Sequence, residues 1–269
     1  MGGAERTARK RRQAAQAGGA RAVAQARGTS GDKRKWIIGI GAVVVVAALV
    51  IGGVIWTIAD RNKTEGEVIK PGESTSALAG DVTQKRDGVA VTVGKPGAKA
   101  TIDVYADFLC PICGEFEKQY KGQVEQAIND GKLQVRYHMV PLLNQRSSPP
   151  GYSLDSANAA LAAADAGKFL QFHDALFANQ PEEGKRGYDK AQLIELGKNV
   201  GITDPAFAQT VNAGTYDQQL NTAFQQIEND PKLAQDFGGG QTGFGTPTVT
   251  ANGSIVSWQD PNWLTKVVG

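Results

Sequence analysis

Cys110 and Cys113 are the only cysteines in the chain, and they stand in the run Asp107-Phe108-Leu109-Cys110-Pro111-Ile112-Cys113. A two-residue gap lets both sulfurs face one side of a helical turn, so the pair can cycle between dithiol and disulfide by exchange with another protein's sulfurs. An apolar strand pattern, Ala100 to Tyr105, runs straight into the motif, and helical spacing follows it. That places Cys110 at about the N-cap, Pro111 at the first helical position and Cys113 one turn further in. Free backbone N–H groups and the positive end of the helix dipole then face the first sulfur and favour a thiolate. Cys110 is expected to be the attacking, exposed sulfur and Cys113 its resolving partner, with Pro111-Ile112 as the dipeptide between them.

Two plainer uses of the pair compete with this one. As a brace it is poor, because closing a four-residue loop stabilises by about 2 kcal/mol against ~3 for fifteen residues. A structural zinc site needs about four Cys or His ligands, and the only histidines, His138 and His173, lie far away in sequence. No metal is expected, and no cofactor beyond a redox-active Cys110–Cys113 disulfide.

Several elements must position the pair. Val89, Val91 and Val93 alternate with Ala90 and Thr92 as a short strand, and Ala100 to Tyr105 form a second. Phe116, Tyr120, Val124, Ala127 and Ile128 recur at helical spacing up to Asn129-Asp130-Gly131, with Gly122 a possible bend. Leu133, Val135, Tyr137 and Met139 then alternate as a third strand. Beyond the Ser147 to Pro150 break, helical segments are read over 154–164, 169–177, 190–200, 205–211 and 216–227. After Gly238-Gly239-Gly240, strands at 248–251 and 254–258 are joined by the hairpin signal Asn252-Gly253, and a short helix closes the chain at 263–268.

The first third of the chain differs in composition from the rest. Residues 1–35 carry ten Lys or Arg against Glu5 and Asp32, which leaves 19 basic and 25 acidic residues beyond them. No aromatic residue accompanies the basic tail between Arg6 and Arg27, so a nucleic-acid partner is not expected. From Trp36 to Ala59 no residue is charged; at ~1.5 Å per residue this run spans about 36 Å, against a hydrocarbon core of ~30 Å. Lys33, Arg34 and Lys35 directly before it put the N-terminus in the cytoplasm and the remainder outside. The competing reading is a cleaved signal peptide, whose apolar region is usually only ~7–15 residues. The expected organisation is a basic cytoplasmic tail (1–35), a transmembrane helix (36–59), a polar extracytoplasmic linker (60–86) with a coil-like reach of about 30 Å, and a catalytic domain (87–269).

The segment from Asp107 to Cys113 resembles the active-site segment of DsbA-like thiol-disulfide oxidoreductases. Gly167-Lys168-Phe169-Leu170-Gln171-Phe172-His173-Asp174-Ala175-Leu176-Phe177 looks like a helix of that family's inserted domain, and Gly245-Thr246-Pro247-Thr248 looks like its cis-proline loop. The resemblance implies an α/β thioredoxin fold with a mixed β-sheet and an all-helical insertion at about 149–237. It also implies a cis bond before Pro247, although X–Pro bonds are cis in only ~5–6% of cases. Thr246 and Pro247 are then substrate-binding residues, the backbone of Thr246 pairing with an extended client chain. The sequence departs from the family in two places. Val104 stands six positions before Cys110, where several members carry a buried acid, and the Pro-Ile dipeptide lacks the histidine of strongly oxidising members. Asp103 and Asp107 read as solvated or capping residues, His138 and His173 as packing or surface residues. Glu115 and Glu117 favour the helix start, yet their charge mildly opposes a thiolate at Cys110.

The expected function is an enzyme, a disulfide oxidase anchored by a single pass in the cell membrane. Its clients would be exported proteins that are unfolded or reduced, and the resemblance implies a membrane-embedded redox partner that reoxidises it. A reductase or isomerase uses the same chemistry in reverse. A tethered binding module for envelope proteins is the alternative from another class.

Overall fold

Alternation along the strands gives the central sheet one dry face and one wetter face. Val91, Val93, Ile102, Val104, Val135, Tyr137 and Val249 are buried, whereas their neighbours Thr92, Tyr105, Arg136 and His138 are half-buried or exposed. This computed structural model describes residues 50–54, 57, 59–71 and 79–269. The chain divides at Ala59/Asp60 into two units, and the first falls mostly outside the described residues. Of the expected span 36–59, all but residues 50–54, 57 and 59 lie outside the described residues. Among the described residues, no helix is long and apolar enough to cross a membrane.

The strands are β1 (Thr83–Asp87), β2 (Ala90–Gly94), β3 (Ala100–Ala106), β4 (Leu133–Met139), β5 (Gln235–Asp236), β6 (Thr242–Gly243), β7 (Thr248–Ala251) and β8 (Ser254–Ile255). Six of them form one sheet in the order β1-β2-β4-β3-β7-β8, in which only β3 and β4 run parallel. The helix between that parallel pair is α1 (Pro111–Asn129), which continues unbroken through Gly122. Between β4 and β7 lie α2 (Tyr152–Asp165), α3 (Phe169–Ala178), α4 (Lys190–Asn199), α5 (Pro205–Ala213) and α6 (Asp217–Glu228), and α7 (Trp263–Val268) ends the chain. This is a thioredoxin fold with a mixed sheet and an inserted group of helices. At the β7–β8 hairpin, Asn252 and Gly253 both take positive φ, 52° and 77°, as a two-residue turn of the expected kind requires.

Packing on the dry face fixes α1. Its Phe116 and Tyr120 rings lie 5.6 Å apart and meet Trp263 of α7 at 6.0 and 5.6 Å. On the other flank Tyr137 of β4 meets Phe169 and His173 of α3 at 5.3 and 4.9 Å. Helix α1 is thus held between the C-terminal helix and the insertion.

The described parts of the stretch 60–86, residues 60–71 and 79–86, are not a free linker. Strand β1 begins at Thr83, and residues 60–71 lie along the inserted helices. Ile69 is 1% exposed. Thr64 Oγ1 donates to the carbonyls of Arg186 and Gly187 at 2.9 and 3.1 Å, Arg186 N donates to Arg61 O at 2.8 Å, and Gln192 Nε2 donates to Glu67 O at 2.8 Å. Polar composition suggested coil, but the backbone groups of this segment find partners on the domain, and one apolar side chain anchors it.

Candidate active site

Cys110 caps α1. Its backbone is extended (φ −72°, ψ 116°), its N–H donates to Asp107 O at 3.0 Å, and its carbonyl accepts Gly114 N at 3.2 Å, with Pro111 at the first helical position. Cys113 comes one turn later, and both cysteines are free thiols in this structure. The Cys110 thiol is brought down to about 7 from an ordinary 9.0, chiefly by its hydrogen bond from the Cys113 side chain. Thr246 and the backbone N–H groups of Cys113 and Ile112 add to the effect, and burial opposes it. Cys113 moves the other way, well above the ordinary value, because it is fully buried and lies beside the first sulfur. One helix start therefore holds one thiol ready to ionise and one that keeps its proton.

One expectation needs correcting. Cys110 is only 5% exposed, because its sulfur lies under the cis-proline loop, 3.4 Å from the carbonyl oxygen of Thr246. Ile112, two positions on, is 50% exposed. The Thr246–Pro247 bond is cis, as is Ser148–Pro149. The structure thus brings Cys110, Pro111, Ile112, Cys113, Thr246 and Pro247 together at one end of the sheet, with Thr246 touching Cys110.

The acidic residues are placed differently from expectation. Asp107 is buried rather than solvated: Oδ1 accepts Leu109 N at 2.8 Å and Oδ2 accepts Leu143 N at 2.7 Å, which ties the turn before Cys110 to the loop after β4. Burial raises its carboxyl to about 6. Asp103 is also buried, at the centre of a polar cluster on the wetter face, with Arg136 Nη2 at 2.7 Å and His138 Nε2 at 2.8 Å. His138 therefore leaves the core and stacks on Tyr105 at 4.4 Å. Glu117 does not face solvent near the helix start; it is buried against α3, 3.7 Å from His173 Nε2, and desolvation raises it to about 7.

One neighbour of the site lies beyond the reach of sequence reasoning. Gln180, just after α3, donates from Nε2 to Phe108 O at 3.0 Å and to Cys110 O at 2.9 Å. With Gly114, Glu117 and Phe177 it lines a cleft of about 550 Å³ between α1 and α3. No spacing rule points from position 180 to position 110; only the folded path of the insertion joins them.

The family model described as Thioredoxin matches residues 86–268. The chain belongs to the thioredoxin family. Among curated proteins, this thioredoxin-family chain is 31% identical over 185 residues to the serine/threonine-protein kinase PknE of Mycobacterium tuberculosis. The match covers 66% of this chain but only 31% of that relative's length. Among solved structures it is similar to oxidised DsbA of M. tuberculosis, at 30% identity and a TM-score of 0.55, covering 70% of this chain and 93% of that one. It is also similar to the reduced disulfide bond oxidoreductase DsbG of M. tuberculosis, at 28% identity and a TM-score of 0.54, covering 78% and 92%. The structural neighbours are thiol-disulfide oxidoreductases of the DsbA type.

Proposed function

We propose that this chain is an extracytoplasmic thiol-disulfide oxidoreductase that introduces disulfides into exported proteins through Cys110 and Cys113. The observation that carries this reading is the opposite tuning of two thiols on one helix start: N-cap Cys110, beside Thr246 O, is lowered to about 7, while Cys113, with no exposure, is raised. In the oxidised enzyme a client thiolate attacks Cys110 Sγ, the Cys110–Cys113 bond breaks, and Cys113 leaves as a thiolate that takes up a proton. A second client thiolate then attacks the client sulfur of the mixed disulfide, and Cys110 leaves as a thiolate. The client loses two electrons and the enzyme gains them.

Thr246 and Pro247 serve as the client-binding ledge: the Thr246 backbone beside Cys110 can pair with an extended chain. The uncharged run Trp36 to Ala59, behind Lys33, Arg34 and Lys35, supports a single membrane pass with this domain outside. A membrane-embedded partner that removes the two electrons completes the cycle. No metal or separate cofactor takes part.

The reverse direction, a reductase or isomerase, is favoured by one observation. A first thiol near 7 matches a thioredoxin-like pair more closely than a strong oxidant, in which it lies at ~3.5. The reduction potential decides between the two directions. A value of about −120 to −180 mV supports the oxidase, and one near −270 mV assigns a reductase. Client capture tests the exchange itself: a Cys113→Ala variant should hold mixed disulfides on Cys110, and their absence would overturn the reading.

A further inference from the structure

Gln180 is 70 residues from Cys110 in sequence, yet its side-chain amide bonds to the carbonyls on either side of the first cysteine's approach, Phe108 O at 3.0 Å and Cys110 O at 2.9 Å. The oxygen of the same amide sits where a side chain at position 114 would begin. A Cβ there would stand 2.3 Å from Gln180 Oε1, and the residue is glycine. The amide therefore fills a notch in the first turn of α1. Its loop is pinned as well: Asn179 Nδ2 donates to Ala175 O at 2.8 Å and to Lys70 O at 2.9 Å, and Tyr188 Oη donates to Asn179 O at 3.0 Å. Gln180 is thus a donor held in place before any reaction.

We propose that Gln180 is a positioning residue for the Cys110 thiolate, supplied by the inserted helices. This rests on the exchange chemistry proposed above for Cys110. The Cys110 carbonyl is also the first acceptor of α1, taking Gly114 N at 3.2 Å. Fixing that peptide keeps Sγ under the amides of Ile112 and Cys113 and beside Thr246. Gln180 touches no reacting atom; it acts through the backbone that carries one.

Two substitutions remove this contact independently. Gln180→Met deletes the amide and keeps the bulk, while Gly114→Ala expels the amide by steric overlap and introduces a better helix former. In each folded variant the Cys110 thiol, followed by thiolate absorbance against pH, should rise by about half a unit. At pH ~9, where the thiolate is fully formed, the glutathione equilibrium should shift about threefold toward the enzyme disulfide, a fall of about 15 mV in reduction potential at ~30 mV per tenfold. Thermal unfolding is measured alongside, and if one variant fails to fold the other carries the test. Unchanged thiol titration and potential in folded protein, with or without a loss of stability, would overturn the assignment. If the wild-type Cys110 itself titrates as an ordinary thiol and exchanges no disulfide, the reading of the site has failed instead.

Discussion

Removing the Cys113 sulfur should make Cys110 a weaker acid. The first thiol is lowered by about two units, from 9.0 to about 7, which corresponds to about 2.7 kcal/mol of preference for the thiolate at ~1.36 kcal/mol per unit. The hydrogen bond from Cys113 is the largest cause; Thr246 and the amides of Cys113 and Ile112 supply the rest against an opposing burial. Cys113→Ala deletes the largest contribution and leaves the others, so the Cys110 thiol should rise by at least about one unit, or ~1.4 kcal/mol. Cys113→Ser keeps a donor at the same place and should stay nearer the wild type. The assay is thiolate absorbance, or the rate of alkylation by iodoacetamide, followed between pH 5 and about 10. Because the folded value lies below the unfolded one, the thiolate's contribution to the reduced state is fully present above pH ~9. It is lost as pH falls through about 7. A Cys113→Ala protein that titrates at the wild-type pH would refute the coupling of the two sulfurs.

Other consequences are open to direct measurement. Asp107→Ala should destabilise the domain by about 2–4 kcal/mol in urea unfolding, because the buried N–H groups of Leu109 and Leu143 lose their acceptors. Ile69→Ala should cost about 2–4 kcal/mol, as for a core residue; a neutral result would restore the free linker. Gly197→Ala, stabilising in most helices, should cost about 1–3 kcal/mol, since a methyl there would meet the Phe207 ring at 2.1 Å. Glu117 is raised to about 7 by burial, so the neutral acid's contribution to stability is fully present below pH ~4.5 and is lost as pH rises through about 7. Glu117→Gln should flatten that part of the pH–stability profile.

Residue patterns revealed most of the frame and only part of the site. Strands β3, β4 and β7 and helix α1 were legible because period two and period 3.6 are local signals: Leu133, Val135, Tyr137 and Met139 alternate, and Phe116 to Ile128 recur at threes and fours. The Cys110 cap followed from a strand handing over to Pro111. What stayed hidden depends on contacts distant in sequence. Strand β1, with the polar run Thr-Gln-Lys-Arg-Asp, is an edge strand whose pairing with β2 supplies the order that its composition lacks. Asp107 and Glu117 look like surface carboxylates until the loop after β4 and helix α3 close over them. The low exposure of Cys110 has the same origin, since Thr246 arrives 136 positions later in the chain.

The most direct test uses the oxidised protein and a reduced, unfolded two-thiol client under anaerobic conditions, with both sets of thiols quantified over time by mass spectrometry. The client should gain one disulfide for each Cys110–Cys113 pair reduced, at matching rates, and Cys110→Ser should abolish the transfer. A client that stays reduced, or one oxidised equally well by Cys110→Ser, would contradict the assignment of exchange to Cys110.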